Sequence, residues 1–152
     1  METPVDAAAS LRENEWAAAL PYVEYPPTPA WYPAAVGVWT SVLLGAVLYL
    51  HGGPAYAVTV LALLALEIGF IAWYRRKRGT MPSLRGAPAE FHRVFRLYFI
   101  GLVALLAAVV AAGFLLPRPF AIAICLVGVT AGLTVYERVY GDAAAATRAR
   151  LR

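Results

Sequence analysis

The chain has 152 residues, of which 61% are apolar and 14% are charged, and its net charge is +4. Soluble domains average about 45–50% apolar and about 25% charged residues, so much of this chain must face something other than water. The composition excludes a soluble domain, a disordered chain and a nucleic-acid-binding domain. One cysteine and two histidines exclude a disulfide framework and a four-ligand zinc site. The predicted class is a small integral membrane protein.

Residues 1–30 are predicted to form a mostly irregular cytoplasmic tail. Asp6 can cap a short helix over residues 7–20, and the prolines that follow favour an extended approach to the membrane. Two interpretations compete for this tail: a docking segment for a partner, and a loosely ordered tail on the lipid headgroups, which is favoured. We expect no cleavable signal peptide, because these residues are acidic and contain no short apolar segment of that type.

Four apolar segments predict membrane-spanning helices over residues 31–50, 54–74, 97–116 and 119–140. Each is close to the ~20 residues that cross a ~30 Å hydrocarbon core as a helix. Their apolar runs are continuous rather than alternating, which excludes strands. Pro54 and Pro119 fall in the first turns of their helices, where proline is tolerated. The connections before these prolines are short, so the sequence predicts an all-α, four-helix transmembrane bundle made of two helical hairpins.

The positive charges predict the orientation. Every lysine and arginine except Arg118 lies in the two tails, at the end of the fourth span or in the loop 75–96, which the positive-inside rule places in the cytoplasm with both termini. Residues 141–152 are expected to form a short helix or a frayed end. One basic cluster is interpreted as a topology anchor that also contacts anionic lipid headgroups. It consists of Arg75, Arg76, Lys77 and Arg78.

Aromatic residues gather at the ends of the predicted spans, as is typical of a membrane interface. They are Trp31, Tyr32, Trp73, Tyr74, Tyr136 and Tyr140.

Small residues recur at helical spacing inside the spans, and in lipid such positions allow helices to approach closely. They predict either a tight bundle or contacts with another molecule. The set is Gly37, Ser41 and Gly45 in the first span, Ala65 and Gly69 in the second, Ala104, Ala108 and Ala112 in the third, and Gly128 and Gly132 in the fourth. A bulky change at Gly132 is expected to disrupt assembly.

Glu67 is the only ionisable residue well inside a predicted span. An intramembrane acid should face the bundle interior, and we expect a hydrogen bond to Thr130 or Thr134, which lie at a similar depth in the fourth span. Two roles are open for this carboxyl group. It can be a neutral acid that holds helices together, which is favoured, or the proton-binding group of a coupled transporter.

The sequence predicts no cofactor, no metal site and no catalytic activity. His51 and His92 lie outside the spans and cannot hold a buried haem, and no phosphate-binding loop or catalytic motif is present. The predicted function is a non-catalytic accessory or assembly subunit of a membrane complex; the alternative is a small proton-coupled transporter with Glu67 as the coupling carboxylate. The expected partners are the lipid bilayer and another membrane protein or a second copy, and not nucleic acid. A water-accessible cavity that reaches Glu67 would favour the transporter, and a dry, close-packed centre would favour the subunit.

Overall fold

The computed structural model describes residues 4–24, 28–50, 52–78 and 86–151, and all regular structure in these ranges is helical. The helices are α1 (Pro4–Val23), α2 (Tyr32–Leu50), α3 (Pro54–Arg78), α4 (Ala89–Leu115) and α5 (Arg118–Leu151). The last four are long and apolar enough to cross a membrane. The predicted all-α class with four long apolar helices is therefore confirmed, with α1 as a fifth helix.

Glycine and proline set the two short connections. Gly52 has a φ of 71°, a left-handed conformation that costs glycine little, and Pro54 begins α3 just after it. Leu116 is extended, at φ −123° and ψ 159°, because Pro117 disfavours the helical conformation in the residue before it. Its N–H still donates to the carbonyl of Ala112 at 2.9 Å, and this bond closes the last turn of α4.

Helix α5 lies at the centre of the arrangement and contacts α1, α2 and α4. Helix α3 contacts only α2 within the described residues, so the spatial order of the apolar helices is α3, α2, α5, α4. The predicted four-helix bundle is therefore not closed, since α3 and α4 do not meet in the part of the chain that the structure describes.

The contact between α2 and α5 is made through the small residues of α2. Gly37 is buried, and a Cβ atom placed on it would lie 3.0 Å from the backbone oxygen of Leu126 and would overlap Thr130 Oγ1. Ser41 is also buried, and its hydroxyl points to the carbonyl oxygen of Ile122 at 3.5 Å. A Cβ on Gly45 would lie 3.6 Å from Ile122 Cδ1. Larger residues on this face would separate the two helices.

The other predicted packing positions divide. Gly128 of α5 lies directly against the side chain of Leu105 in α4. In contrast, Ala65, Gly69 and Gly132 are exposed, and no described atom lies within 4 Å of a Cβ built on either glycine. Ala112 is buried, whereas Ala104 and Ala108 are exposed. Within a single chain a Cβ at Gly132 meets open space, so the disruption predicted for a bulky residue there stays a prediction for contacts with another molecule.

Both tails extend the helical structure. Helix α1 runs from Pro4 to Val23, with Pro21 in its last turn. The sequence predicted a shorter helix, over residues 7–20, followed by irregular chain. The residues 141–151 continue α5 rather than form a separate short helix.

A small buried cluster joins α1, the start of α4 and the end of α5. It contains Tyr22, Phe91, Val94, Ala143 and Ala144. Because α1 packs on this cluster, the N-terminal segment is held by its own chain.

Ion pairs reinforce this cluster at its surface. Arg150 of α5 reaches Glu90 of α4 at 2.7 Å and Glu15 of α1 at 3.5 Å. The guanidinium of Arg148 donates to the backbone carbonyl of Val23. The three helices are therefore joined by charge as well as by apolar packing.

Residues 25–27 of the predicted tail and 79–85 of the predicted loop lie outside the described residues, as does His51.

Candidate functional site

A cavity of about 700 Å³, hereafter the cleft, lies between α3 and α4, with α2 and α5 as its floor. Its lining comes from the half of the helices where α2 and α4 begin and α3 ends, which we call the basic end. The cleft exists because α3 packs on α2 alone and leaves the space towards α4 unfilled by described residues. The aromatic residues in its lining are Trp31, Tyr32, Trp39, Phe70, Tyr74, Phe95, Tyr98, Tyr136 and Tyr140.

One wall of the cleft is an aromatic group shared by α3 and the start of α2. The Phe70 ring stacks on Tyr32 with 5.8 Å between ring centroids and meets Trp31 edge-on at 6.3 Å. Tyr74, which is only 7% exposed, lies 5.6 Å from the same ring. Deeper in the cleft, Trp39 Nε1 donates to the carbonyl of Leu63 at 3.2 Å, which ties α2 to α3.

The opposite wall consists of tyrosines of α4 and α5. Tyr98 and Tyr136 lie 5.1 Å apart between ring centroids, and Tyr136 lies 5.9 Å from Tyr140. Tyr140 also packs edge-on against Phe91 at 4.9 Å and donates its hydroxyl to the carbonyl of Tyr22 at 3.2 Å. This wall therefore continues into the buried cluster that holds α1.

Two carboxylates line the cleft. Glu67 of α3 is half-buried and lies thirteen residues after Pro54, at the deeper part of the cleft. Glu137 of α5 accepts a hydrogen bond of 2.7 Å from the hydroxyl of Thr28, which precedes α2. The described lining contains no lysine, arginine or histidine. The charge that this site can carry is therefore negative.

The structure does not bring Glu67 to the predicted threonines. Helix α3 packs on α2 and not on α5 in the described ranges, and the two threonines make other contacts. Thr134 instead donates to the carbonyl of Thr130 at 2.7 Å, and Thr130 packs against Gly37. The similar depth of Glu67 and the two threonines was not enough to predict their contacts, since two helices that cross the same depth need not be neighbours.

Sequence reasoning missed Glu137 and Thr28 as site residues. The usable signal was the aromatic residues at the span ends, which were interpreted only as a membrane interface. Five of those six aromatic residues line the cleft together with Glu137. The five are Trp31, Tyr32, Tyr74, Tyr136 and Tyr140.

The basic cluster and the single cysteine lie outside the described lining of the cleft. Arg75 and Arg76 are exposed at the end of α3, next to Lys77 and Arg78 in the same helix. Cys125 is a free, buried thiol in α5. No group of three or more potential metal ligands occurs in the described part of the chain.

Comparison with protein-family models, with curated proteins and with solved structures finds no match. Any functional conclusion therefore depends on the cleft and on the chain's own composition.

Proposed function

We propose that the chain is a multi-pass protein of the cytoplasmic membrane, with α2 to α5 as its spans and both termini in the cytoplasm. The support is the exposure of large apolar side chains on helices of spanning length: Val58 of α3 is 67% exposed and Phe114 of α4 is 87% exposed. Such surfaces are stable against lipid and unfavourable in water. The basic residues, all but Arg118 at or beyond the basic end, support the orientation.

Single-cysteine labelling tests this orientation. In a Cys125→Ala background, we expect Pro117→Cys to react with a membrane-impermeant maleimide in intact cells. Ser10→Cys, on α1, should react only after the membrane is permeabilised. The reverse pattern would contradict the proposed orientation, and labelling of both in intact cells would contradict a cytoplasmic N terminus.

We further propose that the protein is a small proton-coupled transporter in which Glu67 is the coupling carboxylate. The observation that carries this proposal is the cleft, which reaches Glu67 from the basic end. Glu67 lies about 20 Å along α3 from Pro54, at 1.5 Å per residue, which is near the middle of a bilayer where transporter sites occur. A centre that is not close-packed at Glu67 supports the transporter over the subunit.

Proton flux in proteoliposomes tests the coupling role. Purified protein is reconstituted with a pH-sensitive dye inside, and gradients of cationic, zwitterionic, anionic and neutral amphiphiles are applied in turn. We expect at least one class to drive proton movement in the wild type and not in Glu67→Gln. Asp142→Asn, an exposed position on α5 outside the cleft, is the matched control and should behave as wild type. Equal flux in Glu67→Gln and wild type would refute Glu67 as the coupling site.

A second candidate is the accessory or assembly subunit, and a different observation favours it. Helix α3 contacts only α2 in the described residues, whereas a closed four-helix bundle gives each helix two neighbours. Its exposed small residues Ala65 and Gly69 would let a partner helix approach closely.

Co-purification from native membranes in mild detergent tests the subunit role. If it is correct, we expect a stoichiometric larger complex that Gly69→Leu dissociates while the chain itself stays folded. Gly101→Leu on α4, where the described structure also leaves open space, is the control. A homodimer, or a single chain with nothing bound, would leave the transporter as the proposal.

A further inference from the structure

We infer that the cleft binds a lipophilic organic cation, held between its two aromatic walls and neutralised by Glu67 and Glu137. This inference rests on the proposed transport function, because it names the substrate class of the same site. The evidence is the chemistry of the lining, its charge and its access.

The aromatic lining has the character of a cation site. A cation over the face of a Trp, Tyr or Phe ring is attracted by the ring quadrupole, and the attraction is strongest where water is excluded. Phe70 and Tyr32 form one wall, and Tyr98 and Tyr136 form the other. Their rings come from four helices, α3, α2, α4 and α5. Rings that served only as a membrane interface would turn outwards to lipid headgroups, whereas Tyr74 is buried here.

The charge of the lining selects the sign of the ligand. Glu67 and Glu137 are the ionisable acids of the cleft, and no basic side chain occurs in its described lining to neutralise them. An anion would face repulsion in a site of low polarity, and a neutral ligand would leave a carboxylate without a counter-charge. A cation removes both costs.

Access and size fit an amphiphilic molecule. The volume of about 700 Å³ lies within the roughly 300–1,000 Å³ range of small-molecule sites. Since α3 and α4 do not meet in the described residues, the cleft is open between them, and a ligand dissolved in the lipid can enter sideways.

The binding step also supplies a proton balance. Exchange requires that the Glu67 carboxyl group bind either a proton or the cation, so a cation that takes the place of a bound proton releases that proton to the buffer. Rebinding of a proton reverses the exchange. No oxidant, reductant or covalent bond is involved.

Equilibrium binding of tetraphenylphosphonium to the purified full chain in detergent tests the inference. Binding is followed by equilibrium dialysis and by the fluorescence of Trp31 and Trp39, which line the cleft. Tetraphenylborate is the matched probe, since it has the same size and shape and the opposite charge. We expect saturable binding of the cation, at least about tenfold tighter than that of the anion, with proton release in weakly buffered solution.

Two conservative variants locate the site. Glu67→Gln and Glu137→Gln keep the shape of the side chain, and the glutamine oxygen at position 137 can still accept the hydrogen bond from Thr28. Each is expected to weaken binding of tetraphenylphosphonium about tenfold or more, while Asp142→Asn binds as wild type. Helical circular dichroism and monodisperse elution show that each variant is folded. If one variant fails this check, the other decides.

The outcomes separate this inference from the proposed transport. Saturable cation binding without proton flux supports the inference and contradicts coupled transport. Proton flux driven by another solute class, without saturable cation binding, supports transport and overturns the inference. Equal binding of the two probes, or wild-type cation binding by the Glu67→Gln/Glu137→Gln double variant, also overturns it.

Discussion

Replacing Gly37 with alanine should loosen the contact between α2 and α5. The added Cβ atom would overlap Thr130 Oγ1 and lie 3.0 Å from the backbone oxygen of Leu126. The threonine hydroxyl is on a short, stiff side chain, and the Leu126 oxygen belongs to the helix backbone. Neither atom can move away freely, so the two helices must separate.

The size of the effect follows from two opposing contributions. Overpacking a close contact costs about 1–3 kcal/mol. Alanine in place of glycine inside a helix stabilises by roughly 0.5–1 kcal/mol. Gly132→Ala on α5 has the gain in helix propensity without the overpacking cost, because no described atom lies within 4 Å of its new Cβ. The difference between the two variants should therefore equal the overpacking cost of about 1–3 kcal/mol.

Unfolding in detergent, followed by circular dichroism against temperature or added SDS, measures this difference. For a chain of this size 1 kcal/mol corresponds to about 2–4 °C in Tm. Gly37→Ala should melt below Gly132→Ala by that scale. Thr130→Ala removes the nearest obstacle, so in the double variant the two changes should be coupled by at least about 0.5 kcal/mol in the stabilising direction.

Equal stability of Gly37→Ala and Gly132→Ala would refute the reasoning, because it would mean that α2 and α5 do not approach closely at Gly37. Independent effects of Gly37→Ala and Thr130→Ala would refute the contact between these two side chains.

Two further predictions concern other helix contacts. The hydrogen bond from Arg150 holds the pKa of Glu90 below its ordinary value. The ionised Glu90 therefore stabilises the fold at a pH above about 4.3, the ordinary pKa of glutamate. This contribution is lost as the pH falls through the lowered pKa of Glu90. We expect wild-type stability to decline more than that of Glu90→Gln between pH 5 and pH 2, roughly, measured as Tm; parallel curves would contradict this. Trp39→Phe removes the donor to Leu63 and should destabilise the α2–α3 contact by about 1 kcal/mol, and unchanged unfolding in detergent would show that the bond contributes nothing.

The sequence by itself determined the four long helices and their ends at the two short connections, whereas α3, α4 and α5 extend further than predicted at their other ends. Length and apolar composition are local properties, and an apolar run of about 20 residues has few alternatives to a helix. Pro54 and Pro117 mark two of the boundaries, because proline restricts the backbone at and before its own position. The end of α1 was less predictable, since Tyr22 and Val23 are helical where they are buried against distant residues.

Only the tertiary structure decided which helices are neighbours. Helices α2 to α5 are apolar on nearly all sides, so their sequences do not specify which face packs and which remains exposed. The order α3, α2, α5, α4 separates Glu67 from Thr130 and opens the cleft. Thr28 and Glu137 are 109 positions apart along the chain, and no local pattern joins them. Their pairing depends on how α2 and α5 lie together, and that is fixed by close packing at Gly37, a contact between residues far apart in the sequence.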